Sequence, residues 1–191
     1  MSRPKLARLS ALLLLPFCIY GQDITRQQAD SLLGSLSKSS PDSLHVKALL
    51  ALAEFNISKF GQRKRNLDSA AFFIEATKRL NPSGRSRIAE GTIILLEARL
   101  SEEKNVSKIP DTLFEKAVNI LETTNDRYHL TMGNVELLNF YSNDPKKAAE
   151  VHALKDKITS VLHGPCGETQ SSLTPAQKRE LLSRISYIKD S

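Results

Sequence analysis

The chain has 191 residues, of which 40% are hydrophobic and 25% charged, with 8 Gly, 8 Pro, 2 Cys and no Trp. That length holds one domain or a short array of repeats with a sizeable core, and the composition excludes collagen-like, disulfide-dense and wholly disordered chains. The formal charge is +6, but Arg3, Lys5 and Arg8 fall in the first 21 residues with no acid among them; the remainder carries 24 bases against 21 acids, or +3.

Residues 1–21 read as a secretory signal. A basic start is followed by an apolar run, Leu9 to Tyr20, interrupted only by Ser10 and Pro16. The run is shorter than the ~20 apolar residues that a membrane-spanning helix needs, and it has the tripartite build of a removable leader. Ile19-Tyr20-Gly21 places a small residue before Gln22, so cleavage is expected between Gly21 and Gln22. A lipidated Cys18 would want a small residue before it, and Phe17 stands there. No later stretch is long and apolar enough to cross a bilayer. Once the leader is removed Cys166 is the sole cysteine, which leaves no intrachain disulfide to form. The expected address is export, to a bacterial periplasm or the medium.

From Ile24 onward apolar residues recur at helical spacing. Ile24 to Leu36 is the first expected helix. Pro41-Asp42-Ser43 breaks the chain before a second, Leu44 to Lys59, whose apolar positions wrap more than one face. Gly61 to Asn66 reads as a polar turn. Leu67 to Leu80 follows, striped by Leu67, Ala70, Ala71, Ile74 and Thr77, and Asn81-Pro82-Ser83-Gly84 ends it, since the residue before Pro leaves helical geometry. Arg85 to Leu100 contains Ile93-Ile94-Leu95-Leu96; four successive positions at ~100° each leave little of that turn for water. Pro110-Asp111 opens a helix with Leu113, Phe114, Ala117, Val118 and Leu121 on its face. Tyr128 to Tyr141 and Pro145 to Leu162 make a further pair, joined by an Asn143-Asp144-Pro145 turn that puts Pro where its missing N–H costs least. Residues 163–173 read as a linker. Residues 174–191 then form an amphipathic helix with a Thr174/Gln177 capping box and a stripe of Leu181, Leu182, Ile185 and Ile188.

The pairs repeat. Gly91-Thr-Ile-Ile-Leu-Leu aligns with Gly133-Asn-Val-Glu-Leu-Leu, and Ala70/Ile74/Thr77 parallels Pro110/Phe114/Ala117 and Ala148/His152/Lys155, at spacings of 40 and 38 residues. Such periods mark arrays of helical hairpins, each burying its apolar face on the next. Gly91 and Gly133 lie inside helices, where Gly costs ~1 kcal/mol against Ala; the close approach of a neighbouring helix is the expected reason.

Over residues 44 to 162 the chain resembles the tetratricopeptide repeat family. The resemblance is carried by Leu67-Asp-Ser-Ala70-Ala-Phe-Phe-Ile74, the Asn81-Pro82 exit, Phe114-Glu-Lys-Ala117, Gly133-Asn134 and Asp144-Pro-Lys-Lys-Ala148. The period exceeds the family's ~34 residues, and Thr77, His152 and Lys155 stand where apolar or small residues are usual. In style the chain is similar to the exported sensor portions of bacterial two-component histidine kinases. Those continue into a membrane span, a phospho-accepting His helix and an ATP-binding domain, none of which residues 163–191 contain. The resemblance implies an all-α fold, a short right-handed α-solenoid of about three hairpins in residues 22–162 with a flanking helix at each end. It implies a scaffold that holds a protein or peptide in a concave groove and does no chemistry. Asn134 stands where such proteins often grip a peptide's backbone or carboxylate.

The residues themselves offer little chemistry. His45, His129, His152 and His163 are scattered, and only His163-Gly-Pro-Cys166 has ligand spacing; two ligands do not close a zinc site. Glu102, Glu103 and Asp111 read as solvated loop charges, and Arg63-Lys64-Arg65 as a solvated turn without the aromatics that nucleic-acid binding would want. No catalytic residue, metal or cofactor is expected. Two rivals to the scaffold reading stay open: a sensory input module dimerising through the last helix, and a thiol or metal enzyme using Cys166 and His163.

Overall fold

A computed structural model of the chain describes residues 24–36, 43–59, 64–105, 111–163 and 173–186, and helices account for nearly all of them. The expected leader, its Gly21/Gln22 cleavage site, Cys166 and Ile188 lie outside the described residues. Eight α-helices are described: α1 (Arg26–Leu36), α2 (Ser43–Ile57), α3 (Lys64–Leu80), α4 (Arg87–Glu103), α5 (Asp111–Glu122), α6 (Arg127–Tyr141), α7 (Ala148–His163) and α8 (Pro175–Ser186). No strand occurs among the described residues.

Local chemistry sets the helix starts. Thr25 and Gln28 form a reciprocal capping box at α1, with Thr25 N–H donating to Gln28 Oε1 at 2.7 Å and Gln28 N–H to Thr25 Oγ1 at 3.3 Å. Thr174 and Gln177 repeat it at α8, at 2.8 and 3.2 Å, as the sequence predicts. The Ser86 hydroxyl accepts Ala89 N–H at 3.2 Å and the Asp126 carboxylate accepts His129 N–H at 2.9 Å, capping α4 and α6. Before α4 the Asn81 side chain accepts Ser86 N–H and donates to Ser86 C=O. That clasp holds residues 81–86 out of the helix, so α4 begins at Arg87 and not at Arg85. The start of α3 differs the other way. Lys64, Arg65 and Asn66 belong to its first turn and not to a loop; the first two are exposed and Asn66 partly so, and an apolar stripe gives no sign of them. Pro145–Lys147 is a short 3₁₀ turn capped by Asp144, and α7 starts only at Ala148.

Successive helices pack as hairpins, α2 on α3, α4 on α5 and α6 on α7, while α3 packs on α4 and α5 on α6. Alternate helices also touch: α2 meets α4, α4 meets α6, and α6 meets α8. The core follows this chain of neighbours. Ala29, Leu32, Ala48 and Leu52 join α1 to α2. Ala53, Ile57, Leu67, Ala70, Ile74, Ile93 and Leu96 join α2, α3 and α4. The largest cluster runs from α4 to α8 through Phe114, Val135, Leu138, Ile158 and Leu181. Phe73 packs against the two smaller clusters, and its neighbour Phe72 is 67% exposed.

The glycine expectation is met at one side chain. Leu121 of α5 is fully buried and lies between α4 and α6. A Cβ at Gly91 would stand 2.7 Å from Leu121 Cγ, and one at Gly133 would stand 3.1 Å from Leu121 Cδ1. Both glycines open space for the same leucine.

The third hairpin corrects the sequence alignment. Ala148 and His152 are exposed and Lys155 half-exposed, whereas α7 buries Val151, Ile158 and Leu162. The buried stripe of α7 therefore does not fall on Ala148/His152/Lys155, the positions that the internal alignment picks out; a 3₁₀ turn at Pro145–Lys147 precedes the helix, which begins only at Ala148. In α8 the buried stripe is narrower than its sequence suggests. Leu181 is fully buried and Ile185 half-buried, but Leu182, ~100° around the helix from Leu181, is 46% exposed.

Candidate functional site

Alternate helices present one face each to a common cavity of about 520 Å³, within the range of about 300–1,000 Å³ in which small ligands bind. Val46, Leu50 and Glu54 line it from α2; Ile88, Thr92, Leu95 and Arg99 from α4; Tyr128, His129, Met132 and Glu136 from α6; and Gln177 from α8. These positions recur every three or four residues, one stripe per helix. Ser43, Ser86 and Asp126, at or next to the helix starts, line one end. Glu54, Arg99 and Glu136 lie two to four turns further along. The walls between are mainly aliphatic.

The charged end is a largely buried lattice completed by α8, with Glu54 its most exposed member. Arg184 donates from Nη1 to Glu136 Oε1 at 3.0 Å, and from Nη2 to Glu54 Oε1 at 2.7 Å and Glu180 Oε1 at 3.2 Å. Arg99 Nη1 faces Glu54 Oε1 at 3.3 Å and Glu136 Oε1 at 3.5 Å, and its Nη2 donates to Ser58 Oγ at 2.9 Å. Tyr128 donates its hydroxyl to Glu180 Oε2 at 2.8 Å. Residues 54 and 184, from the second and last described helices, thus share one ion pair.

Burial and charge pull against each other here. Burial alone would raise Glu54, but Arg184 and then Arg99 overcome it and hold the carboxyl below its ordinary value. Glu180 goes the other way: burial outweighs the help of Tyr128 and Arg184 and pushes it up. Burial and the Glu180 carboxylate push the Tyr128 phenol upward, so it remains a donor. Burial disfavours the charge on Arg184, yet the surrounding carboxylates raise its pKa. At the opposite end burial would raise Asp126, and hydrogen bonds from His129 bring it below the usual carboxylate range.

The sequence-derived positions fall mostly elsewhere. Asn134 is 3% exposed and is not among the cavity-lining residues; its Oδ1 makes no hydrogen bond. Met132, roughly 200° around α6 from it, takes the cavity-facing place. His163 is exposed on the last turn of α7, and His152 is exposed as well. Glu102 and Glu103 are exposed at the end of α4. Among the described residues no group of three His, Cys, Asp or Glu side chains could hold a metal, and no helix there is long and apolar enough to cross a membrane.

Glu54, Arg99, Glu136, Glu180 and Arg184 escaped the sequence reading. For Glu54 and Glu136 the signal is a lone charge inside an otherwise apolar run, Leu52-Ala-Glu54-Phe and Val135-Glu136-Leu-Leu; Arg99, Glu180 and Arg184 have other charges close by and carry no such mark. In the internal alignment Glu136 stands opposite Ile94, a mismatch that marks a departure from pure core packing. No family model, curated protein or solved structure matches the chain.

Proposed function

We propose that the chain is an exported, non-catalytic helical-repeat scaffold of tetratricopeptide type that binds a peptide or a protein segment in the cavity bordered by α2, α4 and α6. The observation that carries this reading is the cavity itself. Equivalent faces of alternate helices converge on it with aliphatic walls and a few fixed polar groups, the build of a ligand site. On this reading the hairpins α2–α3, α4–α5 and α6–α7 are three units of a short right-handed solenoid, with α1 and α8 flanking them.

The rival reading, a sensory module dimerising through its last helix, loses support because Leu181 is buried within the chain against the core that contains α6. The enzyme reading turns on Cys166, which lies outside the described residues, and on His163, which is exposed on the last turn of α7; no observation favours it over the cavity.

The test is selection of a displayed random heptapeptide library on the protein and on Thr92→Arg, which places a long charged side chain into the cavity wall. Enriched peptides should bind the variant at least about tenfold more weakly, a loss of ~1.4 kcal/mol, while its circular dichroism stays unchanged. Peptides indifferent to Thr92→Arg would remove the cavity from the function. Chain recovered after export should begin at Gln22.

A further inference from the structure

The charged end of the cavity is unbalanced in two ways. Glu54, Glu136 and Glu180 set three carboxylates against the two guanidiniums of Arg99 and Arg184. One negative charge is left over in a place where Glu136 is 8% exposed and the Glu54 side chain 36%, so water screens it only in part, and poorly compensated charge away from water is costly. The bonding is lopsided as well. Both arginines converge on Oε1 of Glu54 and Oε1 of Glu136. The hydrogen bonds and ion pairs of Glu54 and Glu136 run through Oε1, and neither Oε2 is a buried atom without a partner; both stand open for a further contact, since an ionised carboxylate can accept about four hydrogen bonds.

We propose that this end of the cavity receives a positively charged side chain, a lysine or arginine of the bound peptide, held between Glu54 and Glu136. This deepens the scaffold reading and rests on it. The two halves of such a side chain match the two parts of the site. Its methylene stem lies along the aliphatic wall of Leu50, Leu95 and Met132, as long cationic side chains do when they bury their stems and keep the head in polar surroundings. Its head meets the unused carboxylate oxygens and cancels the surplus charge, a charge-assisted contact stronger than a neutral one. An acidic ligand meets the reverse. The guanidiniums it would seek are already engaged by carboxylates, and its own charge adds to the surplus. The other way to relieve that surplus is a proton on Glu180, which burial favours; in that case the site has no preference for a cation.

The heptapeptides selected in the experiment above decide the matter. Those blocked by Thr92→Arg should share a lysine or arginine, and its replacement by norleucine should weaken binding about tenfold. That difference should shrink to near unity in Glu136→Gln and in Glu54→Gln, two variants from different helices, so that loss of fold in one leaves the other. The norleucine comparison on the unaltered protein needs neither. Cavity-binding peptides with no basic residue, with an acidic one, or with norleucine tolerated in its place would overturn the cation site and leave the scaffold reading intact. Failure to obtain any peptide blocked by Thr92→Arg would overturn both.

Discussion

Gly91→Ala tests whether Leu121 is held as tightly as the packing indicates. In an open helix the change stabilises by about 1 kcal/mol, because alanine is the better helix former. Here the new methyl would stand 2.7 Å from Leu121 Cγ, 2.8 Å from Leu121 Cδ2 and 3.4 Å from the Ala117 carbonyl oxygen. Cγ is the branch point of the side chain, so it does not swing clear as a terminal methyl can. Nor is there space opposite, since Cδ1 of the same leucine faces Gly133 and Leu121 is fully buried. Overpacking of this kind costs about 1–3 kcal/mol and more in tight places, so the clash outweighs the helix gain. The expected net loss is about 1–2 kcal/mol, read from urea denaturation as a lower midpoint with unchanged slope. Gly133→Ala is the control. Its contact is with the far end of Leu121 at 3.1 Å, which can give by a few tenths of an ångström, so its stability should change little. Leu121→Ala alone should cost about 3 kcal/mol. Combined with Gly91→Ala it should cost less than the sum by about 1 kcal/mol, because the added methyl occupies vacated space. A Gly91→Ala protein as stable as the original, or strict additivity in the double variant, would refute the wedge.

Two further predictions concern the charged lattice and α8. Glu54 titrates below its ordinary 4.5 in the folded chain, so its contribution is present above the unfolded pKa and lost as pH falls through the folded one. Glu54→Gln should therefore destabilise at pH 7 by about 1 kcal/mol, since the side chain is 36% exposed and water screens the pair, a penalty that fades in acid. Glu180 titrates above its ordinary value, so its ionised form opposes folding at neutral pH and the opposition disappears below the folded pKa. Glu180→Gln should be neutral or stabilising at pH 7, and urea midpoints from pH 7 to 3 check both; a larger loss from Glu180→Gln than from Glu54→Gln would reverse the assignment. Leu181→Ala, at a fully buried position, should cost about 3 kcal/mol and raise amide exchange across residues 175–186 ahead of the other helices. Unchanged exchange there would mean that α8 does not depend on Leu181 for its seat.

Much of the helical architecture is legible in the sequence because helices announce themselves by periodicity and caps. Thr174 and Gln177 name their own box, Asn81-Pro82 its exit, and Gly91 and Gly133 a close approach that Leu121 supplies. The α7 register was misread: a 3₁₀ turn follows Asp144, the helix begins only at Ala148, and Val151 and not His152 turns inward. The ion lattice was not legible, because nothing local links Glu54 to Arg184 across 130 residues. Taken one at a time, Arg99, Glu180 and Arg184 look like surface charges, and the lone Glu54 and Glu136 give no hint of their partners. Only the convergence of α2, α4, α6 and α8 makes them partners. Asn134 illustrates the converse, a residue singled out by motif whose helix phase turns it away from the cavity.

The pairing of Arg184 with Glu54 and Glu136 also fixes when the cavity comes into being. A chain is made from its N-terminus, so Glu54 and Glu136 emerge first and stand without Arg184 until α8 has followed. The last described helix carries the arginine that completes the charged end. A chain synthesised only as far as α7 therefore holds Glu54, Arg99 and Glu136 but lacks the arginine and the carboxylate that α8 adds, and the charged end is completed only once residues 175–186 have emerged.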